Sequence, residues 1–296
     1  MTETPSQIAS PLVKWVGGKR QLQAPILEMI DSVFVKSAGT YFEPFFGGGA
    51  ILFALAPREA VVSDLNAGLV NLYLQVRDNL HEVTASLSKF EEDYNAIPEH
   101  KKSDFYYENR EMFNLRGASG GFDNRLGPEG AARFLFLNKV GFNGMYRENA
   151  RGELNIPFGK RSSITLFEDQ NIRLVSEALR GAKIHSQSYE RTVEEAVQGD
   201  FVYFDPPYAP LTKTSSFEGY NSANLGGFDQ VGLRDLFVGL TEKGVHCLVS
   251  NSSADQISDL YSAFRITGVS ANRAISAGAA GRKKVKEFLI DNFDQV

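Results

Sequence analysis

The stretch that decides the fold is Phe201-Val202-Tyr203-Phe204, followed directly by Asp205-Pro206-Pro207-Tyr208. The first four residues are apolar, as is typical of a short strand buried on both faces of a parallel sheet. A polar residue that directly follows such a strand lies at its carboxyl end, the edge at which α/β sheets bind their ligands. The segment therefore predicts a buried strand that presents Asp205 to a ligand.

The same pattern of a short apolar strand followed by a polar or glycine-rich loop recurs in the chain. It occurs at 40–42 before Glu43, at 60–63 before Asp64, and at 245–249 before Ser250-Asn251. Helical segments, such as 50–55 and 233–241, lie between these strands. Strands that alternate with helices predict an α/β fold with a doubly wound, Rossmann-like sheet.

The alternation stops between about residue 71 and residue 162. Three helical stretches and a hairpin or long loop occupy this region, at 87–94, 105–113, 131–137 and 140–160. We interpret residues 71–162 as an inserted, mainly helical domain. The remaining residues, 1–70 and 163–296, then form one discontinuous catalytic domain.

Composition places the chain among ordinary globular proteins. Of its 296 residues, 43% are hydrophobic and 23% are charged, a balance typical of folded soluble domains. We expect no membrane span, because no apolar run reaches about 18 residues, and no signal peptide, because residues 1–10 are polar. The single cysteine, Cys247, lies in a strand-like segment and predicts a buried, inert thiol in a reducing, cytoplasmic setting.

Charge is unevenly distributed, although the formal net charge is −5. Residues 271–286 hold five basic residues and no acid, and residues 139–161 are also rich in Lys and Arg. Such patches can contact the phosphates of a nucleic acid even on an acidic chain. Solvated charge on a helix face is the better explanation for any single patch. The four histidines have no metal-ligand spacing, so no metal site is predicted.

The residue types in Asp205-Pro206-Pro207-Tyr208 suit the methylation of an amine on a ring. The lone pair of such an amine is delocalised, and a catalyst has to localise it on nitrogen. A carboxylate at a strand end can accept one N–H, and a proline carbonyl can accept the other. Tyr208 can stack on a base that has left the duplex. The alternative is that these four residues form only a stiff turn after a strand.

Two further segments fit a nucleotide-like cofactor. The turn Phe45-Phe46-Gly47-Gly48-Gly49 follows a strand and opens a helix, and glycines there allow a ligand to approach the backbone closely. Asp64 follows the next strand and can accept hydrogen bonds from both hydroxyls of a ribose. A helix N-cap is the alternative role for Asp64.

Near the start of the chain, Lys14-Trp15-Val16-Gly17-Gly18-Lys19 contains the only tryptophan. Trp15 can face the sulfonium of S-adenosylmethionine, since aromatic faces attract cations, and Lys19 can pair with the cofactor carboxylate. A half-buried aromatic residue of no catalytic importance is the alternative for Trp15.

Taken together, these segments resemble the Dam family, the D12 class of DNA adenine-N6 methyltransferases. The resemblance runs from about Pro11 to Leu289 and is carried by nine blocks in one order. They are the Lys14–Lys19 segment, Glu43–Gly49, Ser63–Asn66, Gly141–Gly144, Arg151–Glu153, Asn155–Gly159, Asp205–Leu211, Ser250-Asn251 and Gly281–Val285.

The resemblance implies methyl transfer from S-adenosylmethionine to N6 of an adenine flipped out of double-stranded DNA, without a metal. The product would be S-adenosyl-L-homocysteine. Catalytic residues would be Asp205, Pro206, Pro207 and Tyr208. Cofactor contacts would come from Trp15, Lys19, Glu43, Phe45, Gly47, Gly49, Asp64 and Asp205.

The resemblance also assigns residues 71–162 to target recognition. Phe142 would wedge into the base stack, Asn143, Met145 and Arg147 would reach base edges, and Lys14 would contact a base. Arg282, Lys283 and Lys284 would meet phosphates. A core position in the hairpin is the alternative for Phe142.

The implied target is GATC or a related short site, although Met145-Tyr146-Arg147-Glu148 departs from the residues common at this point. The segment Asn221–Phe228 is also reshaped. We expect a monomer, with a cognate restriction endonuclease as a possible partner. The alternatives are an N4-cytosine DNA methyltransferase, an amine methyltransferase acting on RNA or on a glutamine amide, and a catalytically silent DNA-binding module.

Overall fold

The computed structural model describes residues 8–19, 21–36, 38–115, 123–210, 228–272 and 284–296, with backbone only at 271, 272, 284 and 285. The helices of these ranges are α1 (Gln23–Val33), α2 (Ala50–Leu55), α3 (Ala67–Asp78), α4 (Leu80–Ala96), α5 (Lys102–Asn114), α6 (Gly127–Val140), α7 (Asp169–Ala178), α8 (Tyr189–Thr192), α9 (Gln230–Glu242) and α10 (Asp255–Leu260). The strands are β1 (Tyr41–Glu43), β2 (Ala60–Ser63), β3 (Ala182–His185), β4 (Phe201–Phe204), β5 (His246–Ser252), β6 (Arg265–Asn272) and β7 (Lys284–Asp291). Three-residue 3-10 helices occur at Glu99–Lys101, Phe142–Gly144 and Phe293–Gln295.

The chain divides into two compact units. The first, here called the helical unit, comprises Met1–Gly18, Gly47–Ala56 and Asp64–Ser186. The second, here called the sheet unit, comprises Lys19–Phe46, Pro57–Ser63 and Gln187–Val296. Spatial proximity alone does not identify a DNA-binding domain, so the boundaries 71 and 162 stay a prediction.

Within the sheet unit the strand order is β2-β1-β4-β5-β7-β6. The pairs formed among β2, β1, β4 and β5 are parallel, whereas β7 is antiparallel to both β5 and β6. The register places Tyr41 opposite Phe201 and Phe42 opposite Val202. The carboxyl ends of β1 and β4 therefore lie side by side, and each is followed or ended by an acid, Glu43 or Asp205.

Apolar burial explains why these short strands are stable. Every residue of β1, β2 and β4 is buried. Side chains of β4 and β5 pack with apolar residues of α9 and α10 in one cluster that includes Phe204, Phe237 and Cys247. Burial raises the pKa of the Cys247 thiol, so it stays protonated, which confirms the prediction of a buried, inert thiol.

The helical unit is organised around α6. Ten of its fourteen residues are buried, as expected for a helix that contacts neighbours on several sides. It packs against α3, α4 and α5. Gly68 in α3 permits this close approach, because a Cβ there would lie 3.0 Å from the ring of Phe134 and 3.1 Å from that of Phe113.

The predicted α/β class and the four predicted strands are confirmed. The sequence did not predict α1, β3 or the β6–β7 hairpin, and the last of these includes part of the basic segment 271–286. Of the two forms predicted for 140–160, a hairpin or a long loop, the structure has the long loop, with a 3-10 turn and two isolated bridges, Gly141 with Phe158 and Glu148 with Leu154. Within the described ranges, no helix combines the length and apolarity needed to cross a bilayer.

Candidate functional site

In the sheet unit, the carboxylate of Asp205 is held by two donors at the end of β4. Lys19 Nζ lies 2.7 Å from Oδ1 of Asp205, and the Ser250 hydroxyl donates to the same oxygen at 3.0 Å. The side chain of Asp205 is 19% exposed and that of Lys19 is 8% exposed. Among the described residues, these contacts leave Oδ2 as the acceptor for an incoming N–H group.

The pKa of Asp205 is set by opposing effects. Burial raises it above its ordinary value, while the Lys19 ammonium and the Ser250 hydroxyl lower it. Lys19 therefore favours the ionised form of the Asp205 carboxylate, in addition to the cofactor contact predicted for it. The Ser250 hydroxyl itself lies 2.9 Å from the hydroxyl of Tyr203.

The ring of Tyr208 is held at its hydroxyl and over its face. Its hydroxyl donates to Oε2 of Glu287 on β7 at 2.7 Å, and Lys19 Nζ lies 4.7 Å from the ring centroid. Burial, and then the negative charge of Asp205, raise the pKa of the phenol. It is therefore a neutral hydrogen-bond donor with a fixed ring orientation.

The Pro206-Pro207 turn is anchored by side chains from α9 and β5. Gln230 Nε2 donates to the carbonyl of Pro207 at 2.8 Å. Asn251 donates in turn to Gln230 Oε1 at 2.9 Å and accepts from the amide of Ala209 at 3.1 Å. These bonds fix the carbonyl of Pro207 and the amide of Ala209 in the turn.

Two other predicted cofactor residues of the sheet unit lie at and after the end of β1. Glu43 is buried and accepts a hydrogen bond from the Tyr41 hydroxyl at 3.0 Å. Phe45 stacks on Tyr189 with ring centroids 5.4 Å apart, and Phe228 meets its ring edge-on at 5.5 Å. An aromatic group of this kind can receive a flat, apolar ligand surface.

In the helical unit, Asp64 is hydrogen-bonded to backbone amides. Its Oδ2 accepts from Gly47 N at 3.1 Å, and its Oδ1 accepts from Asn66 N at 2.8 Å. Burial raises the pKa of Asp64, and the two amides oppose that rise. The N-cap of α3 is Asn66, whose side chain accepts from Leu69 N at 2.9 Å. The alternative of an N-cap role for Asp64 is therefore wrong.

Trp15 and Gly47 fit closely together. Gly47 has a φ of +48°, and a Cβ on it would lie 2.8 Å from Cδ1 of Trp15. The half-buried Trp15 ring stacks on Tyr146, with centroids 5.3 Å apart, and tilts against Phe134 at 6.3 Å. Gly49 is the N-cap of α2 in the left-handed conformation. The glycine turn thus leaves room for the indole and fixes its position.

The predicted base-contacting residues of the helical unit are mostly exposed. Phe142 is 48% exposed, so the alternative of a core residue is wrong. Asn143 has a φ of +57° and is exposed. Arg147 is exposed and donates to Asn155 Oδ1 at 2.8 Å. Met145 is half-buried, and Lys14 is exposed.

Some predicted residues cannot be located. Arg282 and Lys283 lie outside the described residues, as does most of the segment 221–228, and only the backbone of Lys284 is described. No cluster of three or more His, Cys, Asp and Glu side chains suited to a metal ion occurs in the described part of the chain.

Comparison with known proteins identifies the family. The family model of D12 class N6 adenine-specific DNA methyltransferase matches residues 15–275. The chain is 38% identical to the type II methyltransferase M1.LlaDCHI of Lactococcus lactis subsp. cremoris, over 96% of this chain and 95% of that protein. It is 35% identical to the type II methyltransferase M.MjaIII of Methanocaldococcus jannaschii, over 96% and 99% of the two chains. A DNA adenine methylase of Escherichia coli K12 is 31% identical over 94% and 93%.

The chain belongs to the D12 class of N6 adenine-specific DNA methyltransferases.

This membership confirms the resemblance deduced from the nine sequence blocks, and it confirms an adenine-specific DNA methyltransferase as the enzyme class. The α/β architecture, with seven strands in the described residues, is consistent with the Rossmann-like fold predicted for such an enzyme. The N4-cytosine and RNA alternatives are not the activity that the family description names.

Some described residues of this methyltransferase that contact predicted site residues escaped the sequence analysis. Among them are Glu287, Gln230 and Asn138. Glu287 and Gln230 carry no local signal, because they act through contacts with distant residues. Asn138 carries one, since it is a polar residue that directly follows the apolar run Phe134-Leu135-Phe136-Leu137 of a buried helix.

Proposed function

We propose that the chain transfers the methyl group of S-adenosylmethionine to N6 of an adenine flipped out of duplex DNA, within GATC or a related short site. The observation that carries this proposal is the Asp205 carboxylate at the end of β4, with Oδ1 occupied by Lys19 and Ser250. Tyr208 follows on the same turn and has its ring orientation set by Glu287.

These groups match what N6 methylation requires of a protein. Asp205 Oδ2 accepts one N–H of the adenine amine, and the Pro206 carbonyl accepts the other. The lone pair is then localised on nitrogen, and the carboxylate offsets the positive charge that develops there. S-adenosylmethionine would supply an electrophilic methyl group. A C–S bond would break as the C–N bond forms, S-adenosyl-L-homocysteine would leave, and the methylated nitrogen would release one N–H proton to solvent. The remaining work of the protein is positioning, which needs neither a metal nor a nucleophilic side chain.

Each unit carries donors and acceptors that suit the proposed cofactor. In the helical unit, Asp64 offers carboxylate oxygens for ribose hydroxyls, next to the Gly47 and Gly49 turn and the Trp15 ring. In the sheet unit, Lys19 offers an ammonium, Glu43 and Asp205 offer carboxylates, and Phe45 offers an aromatic face. Taken separately, the groups of the helical unit suit a ribose, and those of the sheet unit suit an aromatic base and a charged amino-acid end.

The proposed DNA contacts rest on exposure and residue type. Phe142 is a large exposed apolar side chain on a tight turn, which suits insertion between bases. Asn143, Met145 and Arg147 follow it along the chain, and Arg is the commonest reader of guanine. Relatives are named DNA adenine methylase and type II methyltransferase. We propose double-stranded DNA as the substrate. We also propose that the protein is a monomer in solution and that a cognate endonuclease is its partner.

Labelled S-adenosylmethionine and duplex DNA test the activity. After transfer, the DNA is digested to nucleosides, and the label is expected in N6-methyladenine. Label in N4-methylcytosine, or transfer to RNA and not to any duplex, would overturn the proposal. Sequencing the methylated positions in DNA from cells that express the protein tests the site, and methylation outside GATC-like sequences would remove that part alone.

A further inference from the structure

A buried amide, Asn138, joins two segments of the helical unit that are distant in sequence. Its Oδ1 accepts from Lys14 N at 3.0 Å, and its Nδ2 donates to Lys14 O at 3.0 Å and to Gly144 O at 3.1 Å. The residue is 3% exposed and lies near the end of α6. Three of the hydrogen bonds that an amide can make are thus used on two backbone positions.

The two joined segments also touch directly. Gly144 has a φ of +63°, and a Cβ on it would lie 2.6 Å from Cδ and 3.0 Å from Cβ of Lys14. Only glycine suits this position, because the backbone is left-handed and a side chain would collide with Lys14. It places the Lys14 side chain against the 3-10 turn that contains Phe142 and Asn143.

We propose that Asn138 is a positioning residue for DNA recognition, which holds Lys14 and the Phe142–Gly144 turn as one rigid reading surface. The inference rests on the proposed function, because it takes Lys14, Phe142 and Asn143 as DNA contacts. Asn138 itself is buried and touches no base. It acts by fixing the positions of side chains that point to solvent.

Asn138 is expected to affect the precision with which base-contacting groups are placed more than the overall affinity for DNA. Hydrogen-bond readout of a base edge demands donors within a few tenths of an ångström of their acceptors. Lys14 lies in an N-terminal segment, and Asn143 lies in a left-handed turn, so neither backbone is part of a regular element. Without the amide, each segment can shift separately, and contacts that depend on both at once are weakened most.

The chain offers a closely matched control in Asn71. This residue is 4% exposed and belongs to the same unit. Its Nδ2 donates to Arg125 O and Gly127 O at 2.9 and 3.0 Å, and its Oδ1 accepts from Gly127 N at 3.1 Å. It therefore makes the same three bonds with the same burial, but it holds the start of α6 instead of the proposed reading surface.

The experiment compares Asn138→Ala with Asn71→Ala on a duplex that carries the mapped site and on duplexes with one base pair changed. The mapped site is the sequence found methylated in cells, and the discrimination ratio is kcat/KM for that site divided by kcat/KM for a changed site. We expect Asn138→Ala to lower this ratio at least tenfold, because kcat/KM falls more for the mapped site than for the changed sites. In Asn71→Ala that ratio should stay within about twofold of the wild type, while the melting temperatures of the two variants fall by similar amounts. Equal loss of discrimination in both variants, or in neither, overturns the inference.

Gly144→Ala provides a second perturbation of the same junction if Asn138→Ala does not fold. It forces the Lys14 side chain away without removing the amide, and it should also lower the discrimination ratio at least tenfold; an unchanged ratio overturns the inference. Failure of the wild-type protein to methylate adenine in any duplex would contradict the proposed function instead, so the two failures are distinguishable.

Discussion

Replacement of Gly47 by alanine should weaken cofactor binding through the single tryptophan. Gly47 combines a φ of +48° with a Cβ position 2.8 Å from Cδ1 of Trp15. No ordinary carbon–carbon contact is that short, so either the turn or the indole has to move. The indole is the softer element, because it is half-buried and rests on the rings of Tyr146 and Phe134.

The expected size follows from two separate effects. An L-residue in the left-handed region costs about 1–2 kcal/mol. Forcing an extra carbon into a filled space costs about 1–3 kcal/mol. The backbone cost falls on the folded protein with or without cofactor, so only the displacement of the indole enters the binding equilibrium. Since about 1.4 kcal/mol corresponds to a factor of ten in an equilibrium constant, a displacement cost of about 2 kcal/mol, within that second range, predicts that cofactor affinity falls at least tenfold.

Intrinsic fluorescence measures this directly, because the chain contains only one tryptophan. Titration with S-adenosyl-L-homocysteine gives the dissociation constant for each variant. Gly48→Ala is the matched control, since its φ is not in the left-handed region and a Cβ there would make an ordinary 3.4 Å contact with Trp15. It should change the dissociation constant less than about twofold.

A folded Gly47→Ala protein that binds S-adenosyl-L-homocysteine as tightly as the wild type would refute the reasoning. Such a result would mean that Trp15 does not line the cofactor. Equal weakening by Gly47→Ala and Gly48→Ala would mean that any bulk in the turn, rather than the position of the indole, controls binding.

Substitutions at three further residues test individual contacts. Lys19 lowers the pKa of Asp205, so Lys19→Gln should raise it and move the acid limb of the kcat/KM profile to higher pH; an unmoved limb counts against the ion pair. Tyr208→Phe removes a hydrogen bond to the Glu287 carboxylate, worth about 1.5–3 kcal/mol, and should lower kcat about tenfold. Tyr208→Ala also removes the ring and should lower kcat further. Equal losses in the two variants would contradict a stacking role. Phe142→Ala should reduce the fluorescence increase of a 2-aminopurine placed at the target adenine, while a full increase would show that the wedge is unnecessary.

Local sequence pattern was sufficient for the strands that carry the site. Buried parallel strands read as continuous apolar runs, and the polar residue after each run marks its carboxyl end. Asp205 and Glu43 were located this way. Glycine-rich turns after such strands are also local signals. The sequence therefore predicted a close approach to the backbone at Gly47, but it did not predict that Trp15 makes a contact there.

The β6–β7 hairpin was not predicted, because its second strand begins with charged residues. Lys284 and Lys286 flank Val285, but in sequence they belong to the basic segment 271–286, which was associated with phosphate contacts, and Glu287 follows directly. The pairing of β7 with β5 is a long-range property with no local signature. The contact of Glu287 with Tyr208, 79 residues away, was therefore out of reach.

Burial decided between alternatives that the sequence left open. Phe142 lies in an apolar context and could have been a core residue, and only its 48% exposure excludes that role. Asp64 and Asn66 are both good N-caps by residue type. Only the hydrogen bond to Leu69 N assigns the cap to Asn66 and leaves Asp64 for another function.

The most direct test of the central claim is methyl transfer by Asp205→Ala. Single-turnover rates with labelled S-adenosylmethionine and a duplex carrying the mapped site are compared with DNA affinity measured by fluorescence anisotropy. Asp205→Ala is predicted to lower the rate about a hundred- to a thousandfold, as for the removal of a preorganised transition-state contact, with DNA affinity within a few-fold of the wild type. An unchanged rate of N6-methyladenine formation would contradict the central claim.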